Sequence, residues 1–247
     1  MVKVEVCAYS LESCINAELA GADRIELCSG PGEGGTTPSA GLVSIVLEKV
    51  KIPVYIMIRP RGGDFVYDDS EIEVMYREID QAKKLGVHGI VLGILHPDGQ
   101  VNVEQTRELV EYASPLGVTF HRAFDLTVDP VLALEDVIST GAERILTSGL
   151  KSAAPMALEL LSQLAAQAAG RIEIMAGGGV SASSAENLLN TGIHALHLSG
   201  KAFRSTMQRF FQEGVSMAGD VPDERHIMYS NVDNIRKVTD IIRSKKC

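Results

Sequence analysis

Cysteine is scarce in this 247-residue chain: Cys7, Cys14, Cys28 and Cys247 are too few and too scattered for a disulfide scaffold. No C-x-x-C pair or dense Cys/His run offers a preformed zinc site. Positive charge is also short. Lys and Arg total 23 against 32 for Asp and Glu, a formal charge of −9, which speaks against a general electrostatic grip on nucleic acid or an anionic membrane. Long apolar runs are missing as well. Stretches such as 52–58 and 89–95 fall far short of the ~20 residues needed to cross a bilayer. At the N-terminus, Lys3 and Glu5 interrupt the region where a signal peptide would need an unbroken apolar stretch. The expectation is a cytoplasmic protein kept reduced, without membrane or nucleic-acid partners. Several signatures of catalysis are absent too. There is no G-x-G-x-x-G after the first strand, no Gly-rich loop ending in Lys-Ser/Thr, no G-x-S-x-G and no H-E-x-x-H.

What is present is a repeated junction, in which a helical pattern ends at Gly and a short β-branched run follows within about three residues. It recurs at Gly21, Gly86, Gly141, Gly170 and Gly192. With three further strand-like runs, strands are expected to start near residues 3, 23, 53, 88, 117, 143, 171 and 194. Helical periodicity fills the gaps at 11–20, 42–50, 71–85, 103–113, 131–139, 154–169 and 184–189. Strict alternation implies parallel βαβ units, and eight of them in about 250 residues imply an α/β chain folded as a (β/α)8 TIM barrel. The expected organisation is a single domain over 1–247. Its core is 1–200, followed by a C-terminal extension that is irregular over 201–230 and ends in a helix over 232–243.

Strand positions facing the helices must be apolar, so the alternating charged positions should face the barrel interior. That parity turns Lys3, Glu5 and Cys7 inward, and likewise Arg24, Glu26 and Cys28, Met57 and Arg59, Thr119 and His121, Glu173 and Met175, His197 and Ser199. Strands four and six are ambiguous. Active sites of this architecture lie at the C-terminal strand ends, and unusual chemistry gathers there. Arg59, Arg61 and Arg122 are candidate anion ligands. Gly177, Gly178 and Gly179, ahead of Ser181, are candidate N–H donors to a phosphate or carboxylate. The Gly-rich stretch 30–35 can close over a ligand. Glu26 and His121 have the chemistry of a general acid or base, with Asp125 placed to orient His121. An internal salt-bridge network and buried structural histidines are the competing explanations. Cys7 and Cys28 end adjacent strands whose axes lie ~4.8 Å apart, and thiolates select Cu(I), so a soft-metal site is chemically open.

The segments carrying these residues resemble the CutC family of copper homeostasis proteins. They are Glu5-Val6-Cys7, the run 22–28 ending Glu26-Leu27-Cys28, the run 33–39 beginning Glu33-Gly34-Gly35, Ile58-Arg59-Pro60-Arg61, the run 118–125 through His121, and Thr147-Ser148-Gly149. The resemblance implies a cytoplasmic barrel that binds copper as Cu(I), with Cys7 and Cys28 matching the proposed metal-ligating thiols; in a copper site built on them, Met175 or a histidine is an optional third donor. Two readings follow. One is a copper-handling protein without catalysis. The other is a barrel enzyme acting on a small anionic substrate, phosphorylated or carboxylated, through Glu26, His121 and Asp125. A homo-oligomer is compatible with either reading and indicated by neither.

Overall fold

The computed structural model describes residues 2–215 and 224–244. Eight parallel strands close into a barrel in chain order, each hydrogen-bonded to its neighbours, and β8 pairs back onto β1. They are β1 (Lys3–Ala8), β2 (Arg24–Leu27), β3 (Val54–Met57), β4 (Gly89–Leu92), β5 (Gly117–Phe120), β6 (Arg144–Thr147), β7 (Glu173–Gly177) and β8 (Ala195–Leu198). The helices wrapped outside are α1 (Leu11–Leu19), α2 (Ala40–Lys49), α3 (Asp69–Leu85), α4 (Val103–Ala113), α5 (Pro130–Ser139), α6 (Leu158–Ala168), α7 (Ala182–Leu189) and α8 (Val232–Ser244). This is the TIM-barrel fold anticipated from the alternation.

Local chemistry sets the boundaries. α3 opens on a capping box in which Asp68 accepts from the Glu71 N–H and Glu71 reaches back to the Asp68 N–H; it closes on Gly86 at φ 79°, a conformation that Gly enters without a Cβ penalty. α2 starts two residues before the expected 42 because the Ser39 hydroxyl accepts from the Leu42 N–H. The periodic stretch 154–169 is not one helix. Residues Ala154–Met156 form a 3-10 turn around Pro155, and Ala157 breaks away before α6 begins.

The strand parity holds. Val4, Val6, Ile25, Leu27 and Ile56 pack outward into the large core beneath the helices. Cys7, Cys28, Tyr55, Met57 and Val91 form a separate cluster inside the barrel, and Leu146, Met175 and Ala195 form another. This resolves the two ambiguous strands: Val91 of β4 and Leu146 of β6 face inward, whereas Ile90 and Ile145 face the helices.

The segment expected to be irregular over 201–230 contains an antiparallel hairpin, β9 (Lys201–Ser205) paired with β10 (His226–Ser230). Its strands are too far apart in sequence to carry a tight-turn signature, which is why pattern alone misses them. The following α8 covers the gap between α7 and α1. Ile235, Val238 and Ile242 are buried there, and the Thr239 hydroxyl donates to the Ala20 carbonyl at 2.9 Å. Cys247 lies outside the described residues.

Candidate functional site

The interior is polar at the strand entrances and becomes reactive toward the strand exits. At the entrance end the Arg24 and Arg144 guanidinium groups flank the Tyr55 ring at 5.0 and 5.3 Å from its centroid. Arg144 donates to Glu173 at 2.8 Å and to the Thr119 hydroxyl at 2.8 Å. Arg24 pairs with Glu5 across β1 and β2. The internally paired ions therefore line the entrance, around a cavity of about 580 Å3. The opposite mouth keeps a cavity of about 760 Å3, within the usual range of small-molecule pockets.

At the floor of that cavity, the β1–β2 register sets Cys7 opposite Glu26, and the β1–β8 register sets Glu5 opposite His197. The sulfurs of Cys7 and Cys28 are 4.0 Å apart. His197 Nδ1 lies 2.9 Å from Glu5 Oε1, and its Nε2 lies 3.5 Å from Glu26 Oε2. Cys7, Glu26 and His197 each offer a donor atom within 4.8 Å of the others.

Burial alone would neutralise these groups, yet their contacts sort the protons. Cys7 is held well below the ordinary thiol range, first by its contact with Cys28 and then by His197. Cys28 is pushed up by the Cys7 contact, by burial and by negative neighbours, so it retains its proton. For His197, burial opposes charge, but Glu26, Cys7 and Glu5 outweigh it and raise the imidazole well above its usual value. Glu5 falls to about 2 because, against burial, the His197 hydrogen bond and the Arg24 charge favour its ionised form. Glu26 is driven up by burial and by the Cys7 charge. These directions favour a thiolate–imidazolium pair at Cys7 and His197 beside a Cys28 thiol that keeps its proton.

The other expected site residues divide clearly. His121 lines the cavity and is buried, with Nδ1 accepting from the Ala123 N–H at 3.2 Å. Asp125 does not orient it. The Asp125 carboxylate accepts instead from the Thr147 hydroxyl at 2.6 Å, the Ser148 N–H at 2.9 Å and the Leu150 N–H at 3.2 Å, pinning β6's exit loop. Nor are the arginines equal. Arg59 spends its guanidinium on the carbonyls of Glu33, Gly35 and Gly63, at 2.6, 2.8 and 2.7 Å, tying two loops together. Arg61 pairs with Glu71 and with Asp64 at 3.0 Å and does not line the cavity. Arg122 lines it while bonded to Asp125 at 2.7 Å and Ser148 at 2.9 Å. Gly178 and Gly179 face the cavity, whereas Gly177 belongs to β7, where an added Cβ would run into Leu146 and crowd His197. Met175 sits deeper, 3.7 Å from Arg24 Nη2, so His197 is the nearer third donor.

Sequence reasoning missed Tyr9, Lys201, Asn234 and Lys237, all of which line the mouth. Lys201 has a readable signal, following Gly200 directly at β8's exit. Asn234 and Lys237 have none, because only the docking of α8 brings them there.

A sequence model of the CutC family matches residues 2–202. The chain belongs to the CutC family. A human relative named copper homeostasis protein cutC homolog is 44% identical over 98% of this chain and 89% of its own length. A family protein CutC from Vibrio vulnificus is 45% identical over 98% of each chain. Among solved structures, a CutC crystal structure from Streptococcus agalactiae superposes with a TM-score of 0.75 at 35% identity, covering 81% of this chain and 99% of that one. The copper homeostasis family and its barrel thus join the site geometry as findings.

Proposed function

We propose that this protein binds Cu(I) through Cys7 and Cys28 at the barrel mouth and carries it as cargo in cytoplasmic copper homeostasis. The observation that carries the reading is the 4.0 Å separation of the two sulfurs. With metal–thiolate bonds of ~2.3 Å, sulfurs that far apart are bridged at about 120°, an open angle suited to a low-coordinate ion with one further donor. His197 and Glu26 stand beside Cys7 to supply it. The donor chemistry also fits: one thiol is already favoured as thiolate, and a soft anionic sulfur pair prefers Cu(I) over hard divalent ions. Cys7 borders the cavity while Cys28 is fully buried behind it, so metal arrives at Cys7 first. Cys7, Cys14 and Cys28 are all free thiols, as a reducing compartment would keep them.

The test is anaerobic competition against a Cu(I) chelator. Wild type is expected to take copper at one equivalent, and Cys7→Ser and Cys28→Ser should each weaken binding by at least about tenfold, or 1.4 kcal/mol. Affinity unchanged in both variants would sink the paired-thiol site.

A further inference from the structure

Copper ligation leaves most of the cavity unexplained. Its rim is built from the exits of β7 and β8 and the start of α7. Gly178 and Gly179 turn the chain at φ 90° and 69°. Among the described residues, the N–H groups of Gly179 and Val180 donate to no acceptor. The first-turn amides of Ala182 and Ser183 have none inside α7, as at any helix start. All four residues border the cavity, as do the exposed ammonium groups of Lys201 and Lys237.

A helix start is common, and a second feature of the same cavity points to a ligand. His121 is 3% exposed, and because its Nδ1 accepts from the Ala123 N–H, the proton sits on Nε2. Burial and the Arg59 charge push this imidazole down to about 3, so the ring is neutral near pH 7. Yet Nε2 is buried and has no hydrogen-bond partner, and neither does Glu26 Oε1, on a side chain 2% exposed in the same cavity. An unmet buried donor costs ~1–3 kcal/mol, which a bound oxygen acceptor removes.

We propose that the mouth binds a small phosphomonoester. Its phosphate seats on the amides of Gly179, Val180, Ala182 and Ser183, with Lys201 and Lys237 supplying counter-charge. A hydroxyl or carbonyl oxygen of its organic part accepts from His121 Nε2–H. Four free amides plus two cations around one cavity suit a dianion with three acceptor oxygens better than a single carboxylate. This gives the anionic ligand expected from sequence a chemical class, and it moves the anchoring charge from Arg59 and Arg61 to the two lysines.

The experiment is titration calorimetry of the full-length, reduced, metal-free protein at about 0.15 M salt, with inorganic phosphate and glycerol 3-phosphate as separate probes. Both should bind competitively, the ester about tenfold tighter, the worth of one well-made hydrogen bond at a buried donor. Ser183→Asp puts a carboxylate where a helix start favours it, so the fold is retained while both probes weaken by roughly tenfold or more. Lys237→Ala, on an exposed side chain, should weaken both as well. His121→Phe should bring the ester down to the affinity of inorganic phosphate and leave the latter unchanged. Binding of neither probe, or indifference to Ser183→Asp and Lys237→Ala together, would overturn the site. Equal affinities for the two probes in wild type would overturn the ester in favour of a free anion. Because the probes are titrated into metal-free protein and copper is titrated without them, the copper reading and this one fail separately.

Discussion

Cys7, Cys14 and Cys28 are all buried, yet their surroundings act on them in opposite directions. Cys14 sits among the apolar side chains of α1, where burial pushes its thiol up to about 12. Cys28 keeps its proton beside Cys7, and Cys7 alone gains from ionising. Among these three thiols, alkylation by iodoacetamide at neutral pH should therefore label Cys7 first and leave Cys14 untouched until the protein unfolds, as peptide mass spectrometry would show. Initial labelling at Cys14 or Cys28 would contradict this distribution of protons. Glu5 makes the corresponding prediction for stability. Its carboxyl lies at about 2 in the fold against an ordinary 4.5, so its contribution is complete above 4.5 and is lost as the pH falls toward 2. Glu5→Gln should cost about 3–5 kcal/mol near pH 7, since it leaves Arg24 without its buried counter-charge. Urea unfolding from pH 5 to 2 should then show a shallower loss of stability for the variant than for wild type. Parallel curves would mean that Glu5 is not the group being titrated. The parity of β1 and β2 made these residues readable as inward-facing, because only apolar side chains can meet the helices. It could not say which of them hold protons, since that depends on neighbours drawn from β8.

At the scale of single elements, the loop after β2 is the part whose role changed most between pattern and structure. Its glycines read as a cover that could close over a ligand. In the fold one of them, Gly35, lies so close to Cys28 that a Cβ there would stand 3.3 Å from the Cys28 sulfur. Arg59 holds that cover down through the Glu33 and Gly35 carbonyls and stacks its guanidinium 4.8 Å from the Phe65 ring centroid. An arginine at a strand exit looks like an anion ligand from sequence, because nothing local reveals that three carbonyls already occupy its two terminal nitrogens. Arg59→Met should free residues 30–36, raising their amide exchange by about tenfold or more, while β2 and β3 stay protected. Alkylation of Cys28 should accelerate in parallel. Unchanged exchange in the loop would mean that its own turns, rather than Arg59, hold it in place.

Across the whole molecule, the regular alternation of strand and helix made the barrel legible, and each Gly at a helix end marked a handover. The hairpin escaped because β9 and β10 are distant in sequence, and the contribution of α8 to the mouth escaped because helix docking is a tertiary event. Ile235 shows how far that docking matters: it is fully buried and presses so near Gly200 that no Cβ could fit there. Ile235→Ala should cost about 2–5 kcal/mol in urea unfolding, the usual range for emptying a packed core position. A loss below 1 kcal/mol would show that α8 is only loosely applied to the barrel. The pairing of β1 with β8 has a consequence for how the protein is made. Glu5 and His197 are separated by 192 positions along the chain. During synthesis the two thiols emerge almost at once, but the imidazole that sustains the Cys7 thiolate appears only when the last barrel strand does. An unfinished chain leaving the ribosome therefore lacks the imidazolium partner of Cys7, and the thiolate–imidazolium pair exists only once the ring has closed.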